Sequence, residues 1–224
     1  MSSISPGEQW LELYDFRQRV AALYRERNGA LERGELPGSA WERFRAVRDD
    51  LFAHHPQSAL DEEQRGDFRG LDYFPYDDNA CVDGTLTAGT ETEHAMVGTS
   101  GVDEMPMSRV GTIRFVLGGE DCALTLYWID VYGGGLFLPF RDRTAPRETY
   151  GGGRYLIDTV KGSNFPSMTR EGAAVRITLD FNYAYNPSCA YHYRWACPLA
   201  PPENHLSVAV RAGERVFSNA RDPR

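Results

Sequence analysis

The sequence predicts a mainly β fold of the α+β class. The expected architecture is an antiparallel β-sandwich or flattened barrel with an N-terminal helical pair packed on it. Three observations carry this. Apolar residues recur at helical spacing only near the start of the chain. From about Leu71 the period shortens, and segments rich in β-branched and aromatic residues alternate with turn signals. No helical pattern separates those segments, which argues against parallel βαβ units.

The helices come first. Ser5 can cap a helix, Pro6 suits its first turn because it has no amide hydrogen to satisfy, and Glu8 completes a capping box. Trp10, Leu13, Tyr14, Val20, Leu23 and Tyr24 then form an apolar stripe, and Asn28-Gly29 supplies a stop. A second start is expected at Ser39, with Glu42 three residues on. Trp41, Phe44, Arg48 and Leu51 share its inner face, and Pro56 ends it. Ser58 with Asp61 begins a third, short helix. Two such helices cannot bury their own apolar faces, so Trp10, Trp41 and Phe44 should pack on the β body or on a second copy. Residues 1–66 are therefore expected to form a helical arm and 67–224 a β domain, folding as one cooperative unit. The helical arm is also the expected face of a homodimer.

Strands are expected over 80–87, 110–117, 122–129, 136–140, 154–158, 175–181 and 206–211. Gly118-Gly119-Glu120-Asp121 reads as a hairpin loop between two of them. The polar stretch 89–104 reads as an exposed loop or edge hairpin. The chain has no internal repeat, heptad run or low-complexity tract.

Composition narrows the function classes. The 224 residues are 42% hydrophobic and 25% charged, with a net charge of −8, enough apolar content for a real core. Lys161 is the only lysine, and the arginines are scattered among acids. Nucleic-acid binding needs a concentrated basic footprint, and docking on an anionic membrane needs the same. Neither partner is expected. No apolar run reaches the ~20 residues that span a bilayer. The start, Met1-Ser-Ser-Ile-Ser-Pro, lacks the basic and apolar regions of a signal peptide, so the expected compartment is the cytoplasm. Four cysteines are too few for a disulfide scaffold at this length.

Two blocks of sequence carry a resemblance. One is Phe140-Arg-Asp-Arg-Thr-Ala-Pro-Arg-Glu-Thr-Tyr-Gly-Gly-Gly-Arg-Tyr-Leu156. The other runs from Leu179-Asp-Phe-Asn-Tyr-Ala-Tyr-Asn-Pro-Ser-Cys-Ala-Tyr191 through Cys197-Pro-Leu-Ala-Pro-Pro-Glu-Asn204 to Ala212-Gly-Glu214. Their fixed spacings resemble the signature blocks of the bacterial family called domain of unknown function 1684. The likeness spans roughly the C-terminal half, and Tyr73-Phe74-Pro75 after the helices fits the same layout. Ala145-Pro146 departs from it, where a small residue and glycine are expected. The resemblance implies a place for a site and no activity.

The residues themselves suggest the site. Gly151 to Gly153 could cradle phosphate only if a helix followed, and a strand-like segment follows instead. Arg154, if inward, must be paired. Its partner is Asp142, Glu148, Asp180, Glu203 or a ligand carboxylate, with the structural ion pair favoured. Asn182, Asn186, Tyr185 and Tyr191 offer neutral donors and acceptors, though Asn186-Pro187 is also a turn dipeptide. Pro198, Pro201 and Pro202 hold the next segment extended and deliver Glu203, which could serve as a general base if its pKa were raised. Cys189 and Cys197 enclose seven residues, His192 among them. Unreactive buried thiols are the default reading, with a disulfide or a zinc site as alternatives. His54-His55 reads as a helix-end feature. No Gly-x-Ser-x-Gly, His-Glu-x-x-His or Walker-type motif is present.

The expected function is binding of a small polar molecule by the β domain, in a pocket lined by Tyr150, Arg154, Asn182, Asn186 and Glu203. Catalysis of an unassigned reaction remains open, no metal is expected, and no cofactor is implied. The alternative is a structural or protein-interaction module in which the same residues only brace a long loop.

Overall fold

The structure, a computed structural model, describes residues 5–163, 168–172 and 174–221. Helix α1 spans Pro6–Glu32 and opens on the expected capping box: Glu8 N donates to Ser5 Oγ at 3.3 Å, and Ser5 N donates to Glu8 Oε2 at 2.8 Å. It does not stop at Asn28-Gly29. The chain turns at Gly34, whose φ of 79° is the left-handed conformation that glycine adopts without strain. Glu35 N reaches back to Ala30 O and Gly34 N to Leu31 O, which closes a Schellman end. Helix α2 spans Pro37–His54, two residues ahead of the expected start at Ser39. Leu36 stands at its cap without a side-chain bond, so the fixed φ of Pro37 sets the entry. Helix α3, Glu62–Asp67, is capped by Asp61 with Gln64 rather than by Ser58. The Ser58 hydroxyl donates instead to Phe52 O at 2.7 Å.

The strands are β1 Cys81–Gly98, β2 Glu104–Leu117, β3 Glu120–Ile129, β4 Gly135–Phe140, β5 Arg154–Asp158, β6 Met168–Glu171 and β7 Ala174–Asp180. They form one antiparallel sheet in the order β5-β4-β3-β2-β1-β7-β6, curled into a half-barrel. The Gly118-Gly119 hairpin joins β2 to β3 as expected. Of the loop or edge hairpin expected over 89–104, the structure has the hairpin: 89–98 is the outer half of β1, paired with the start of β2 beyond a register shift between Ala88 and Glu93. Most of its side chains are exposed on both faces, so it carries no alternation to detect. Residues 206–211 form no strand. Leu206 N donates to Arg141 O, Arg143 N donates to Val208 O, and Val210 O accepts from the Arg154 side chain, so its backbone bonds are spent one at a time.

Both helices and the sheet share one core. Leu23 and Tyr24 of α1 and Trp41, Phe44 and Leu51 of α2 pack with Leu86, Ile113, Leu124, Leu156, Leu179 and Phe181. The Phe44 ring meets Tyr183 edge-on at 4.8 Å, and Trp41 Nε1 donates to Asn182 O at 3.0 Å. Trp10, expected on the β body or on a second copy, does not pack on the β body. It is 70% exposed, with Leu11 and Tyr14 beside it, because the first turns of α1 run past the core.

If arm and β domain fold together, Phe44→Ala should remove about 3–5 kcal/mol of stability. Fluorescence and circular dichroism in urea should still report one coincident transition. Two separated transitions would divide the chain at about residue 66.

Candidate functional site

Beyond β7 the chain runs almost without regular structure, and its polar side chains do the work of a sheet. Asp180 caps a short 3-10 turn at Phe181–Tyr183 and accepts from Arg27 Nη2 at 2.9 Å. Asn182, fully buried, takes Asp77 N on its Oδ1 at 3.0 Å and gives its Nδ2 protons to Asp77 O and Asp180 Oδ1. All its polar atoms are bound within the protein.

Arg154 is 1% exposed. Its Nη2 donates to Asp142 Oδ2 at 2.8 Å and to Val210 O, while Nη1 donates to the carbonyls of Ala212 and Glu214. Asp142, one of the four partners proposed from sequence, is as buried as the arginine. Arg154 thus pins residues 210–214 against β5.

The glycine loop serves close approach. Gly153 has φ 94°, and a Cβ there would lie 2.6 Å from Phe140 O. Ala200 N donates to Gly152 O at 3.0 Å, so the loop carries the proline-rich segment. The Ala145–Pro146 bond, where the family pattern is broken, is cis. Tyr150 leaves this loop with its hydroxyl 3.5 Å from Cys189 Sγ. Glu203 lies apart from these residues, accepting from Arg109 Nη2 at 2.6 Å and Tyr127 Oη at 2.7 Å. Burial acts to raise its carboxyl, but the hydrogen bonds from Tyr127 and its own backbone, with the Arg109 charge, hold it below the ordinary value. It is a paired carboxylate, not a base with a raised pKa.

Asn186 is the one of the five at a cavity. Its backbone N donates to Glu214 Oε2 and its Nδ2 to Arg215 O at 2.7 Å. The second bond fixes the amide orientation, and it leaves Asn186 Oδ1 buried with no partner among the described residues. The cavity has a volume of about 70 Å³ and lies between α1, α2 and the segment 185–191. Room for one water needs ~10–15 Å³, so it takes several waters or a ligand of a few atoms.

Two residues that the sequence reading did not single out organise its floor. Glu214, 1% exposed, accepts from Arg48 Nε at 2.6 Å, Tyr73 Oη at 3.0 Å, Tyr191 Oη and Asn186 N. Burial and the Glu214 charge push both tyrosines well above their ordinary pKa, so their hydroxyls stay protonated and donate. Burial is the largest single influence and opposes the charge on Arg48, but Glu214 and the surrounding tyrosines together outweigh it and hold the guanidinium ionised. The Arg48 guanidinium lies over the rings of Phe52 and Tyr185 at 4.9 and 5.0 Å. Its two terminal nitrogens have no hydrogen-bond partner among the described residues, and the residue lines the cavity. One sequence signal pointed here: an arginine on the apolar face of α2.

The five sequence-derived residues do not line one cavity. Asn186 borders this one, Tyr150 faces Cys189, Arg154 and Asn182 are enclosed in the framework, and Glu203 pairs with Arg109. His54 and His55 bond to different carboxylates, Asp50 and Asp15. Among the described residues no three His, Cys, Asp or Glu side chains converge as metal ligands, and no helix is long and apolar enough to cross a membrane.

Residues 66–215 match the family described as Protein of unknown function (DUF1684). The chain belongs to that family. It is also similar to an uncharacterised protein of Haloarcula marismortui whose structure was solved by solution NMR. The two are 35% identical, the likeness covers 79% of this chain and 92% of that one, and the TM-score is 0.58. No curated protein matches the chain.

Two outcomes follow from the framework roles. Arg154→Ala strands Asp142 in the core and should cost about 3–5 kcal/mol, read as a lowered urea midpoint. Glu203 has a lowered carboxyl, so its contribution to stability is present above the unfolded value near 4.5 and lost as pH falls through the folded value. Glu203→Gln should therefore unfold earlier than wild type at neutral pH, and the difference should close in acid.

Proposed function

We propose that this family member binds a small carboxylate in the cavity between α1, α2 and the segment 185–191. One observation carries the reading: Arg48 lines the cavity with its Nε fixed on Glu214, while its terminal nitrogens have no hydrogen-bond partner among the described residues. A guanidinium has five donors in a rigid fork suited to carboxylates. A buried N–H left without an acceptor is costly, so water or a ligand must supply one. Asn186 lines the same cavity and its enclosed Oδ1 has no donor among the described residues, so a ligand with a hydroxyl or amine beside its acid group would gain a bond by reaching it. Ser163 and Ser188 add hydroxyls, and Lys161 stands half-exposed in the lining. The cavity volume limits the ligand to the size of a short hydroxy or amino acid.

Calorimetric titration with acetate, glycolate and glycine tests this. Saturable binding is expected, tightest for the ligands that carry a donor. Ser188→Leu narrows the cavity without touching Arg48 or Glu214, and should abolish binding at an unchanged urea midpoint. Arg48→Lys keeps the charge but loses the fork, and should weaken binding about tenfold. Absence of binding by all three ligands, or full binding by Ser188→Leu, would sink the reading.

A protein-interaction role is favoured by one other observation, the exposure of Trp10, Leu11 and Tyr14 on the first turns of α1. A homodimer through the helical arm would cover them. Sedimentation should then show a dimer that Trp10→Glu reduces to a monomer.

A further inference from the structure

Cys189 and Cys197 are separated by a seven-residue loop, yet the fold sets them side by side. The Cys189 amide donates to Cys197 Sγ at 3.4 Å, which brings the two residues together at one point. Separate anchors hold them there. Cys189 sits in the 3-10 turn Ser188–Ala190, closed by Ala190 N on Pro187 O at 2.9 Å. Cys197 is laid along the end of β1: its amide donates to Ser100 Oγ at 3.1 Å, and Ser100 N donates to Cys197 O at 2.8 Å. The loop between them is tied down as well. Trp195 Nε1 donates to Ala59 O at 3.0 Å, and Arg194 Nη2 donates to the carbonyls of Ser58 and Leu60.

The two sulfurs are not equivalent. Cys197 is buried and Cys189 is partly exposed. The Tyr150 hydroxyl lies 3.5 Å from Cys189 Sγ, and the Ser100 hydroxyl, which accepts from the Cys197 amide and donates to Trp195 O, stands beside the pair. The Cys197 hydrogen bond is the strongest influence. With that from Tyr150 it overcomes burial and brings the Cys189 thiol down to about 6. Cys197 is pushed up by giving that bond, and further by burial. One thiolate therefore faces one thiol at neutral pH. The other two cysteines differ. Burial raises Cys81 to about 11 and raises Cys122 as well.

We propose that Cys189 and Cys197 form a thiol–disulfide exchange site, in which Cys189 attacks a small-molecule disulfide and Cys197 resolves the adduct. The Cys189 thiolate bonds to one substrate sulfur. The substrate S–S bond breaks, and the released thiolate takes a proton from water. Cys197 then gives its proton to solvent and attacks Cys189 Sγ. The mixed disulfide breaks, the second thiolate is protonated, and the 189–197 bond remains. Two electrons pass from the protein to the substrate, which leaves as two thiols. The Tyr150 hydroxyl is a positioning group that holds the attacking sulfur ionised.

The test is alkylation of the folded wild-type protein with iodoacetamide across a pH series, each cysteine followed by peptide mass spectrometry. At neutral pH Cys189 should react at least about tenfold faster than Cys81 or Cys122, with a pH midpoint near its lowered pKa. Glutathione disulfide should then close the 189–197 bond in wild type. Cys197→Ser should instead accumulate a glutathione adduct on Cys189. Tyr150→Phe should shift the Cys189 midpoint upward, a readout that a purely structural tyrosine would not move. Equal alkylation of Cys189 and Cys81, or no 189–197 bond at any glutathione ratio, would overturn the proposal. Both of those measurements use wild type, so a variant that fails to fold cannot obscure them.

Discussion

A buried guanidinium at the start of the edge strand β5 fixes much of this molecule. Arg154 cannot remain charged and enclosed without acceptors, and the fold gives it one carboxylate and three backbone carbonyls. Those carbonyls belong to Val210, Ala212 and Glu214, in a stretch with no strand of its own. The arginine side chain thus replaces a sheet neighbour for the tail. By holding the Glu214 carbonyl, it also fixes where the Glu214 side chain points. That carboxylate gathers Arg48, Tyr73, Tyr191 and the Asn186 amide. The cavity therefore depends on a relay of satisfied charges that begins at β5 and ends on α2.

The relay also explains why the long irregular segment is rigid without being regular. Each buried polar group there has a named partner, apart from a few atoms such as Asn186 Oδ1 and Arg154 Nε. Of these two residues, Asn186 lines the cavity. The segment thus fills space around Asn182 and Arg154 and lines space around Asn186. Structural and ligand-facing roles divide residue by residue within one stretch.

The sequence was legible where a period repeats. The capping box at Ser5, the inner face of α2 and the antiparallel strands between 81 and 158 all follow from spacing and turn chemistry. It was illegible where burial and periodicity part company. The outer half of β1 is solvated on both sides, so nothing alternates. Leu206, Val208 and Val210 alternate like a strand, but their backbone partners are scattered loop residues and a side chain. At the site, Asp142 was among the named partners of Arg154. Arg48 was visible only as a charged residue on an apolar stripe, because its partner Glu214 is 166 positions away and no local pattern encodes that distance. The meeting of Cys189 with Cys197 was legible only as one alternative, since it depends on how the loop between them is anchored beside the end of β1.

The same Arg48–Glu214 ion pair bears on how the chain is made. Arg48 leaves the ribosome early and Glu214 late, with nearly the whole β-sheet synthesised between them. Until residue 214 emerges, the inner face of α2 carries an unmatched cation among aromatic rings, and the helical hairpin cannot seal over the sheet. Completion of the fold is thus bound to the arrival of Glu214, which neutralises a charge placed 166 residues earlier. A nascent chain that stalled short of that residue would hold its strands without the carboxylate that locks the helices down.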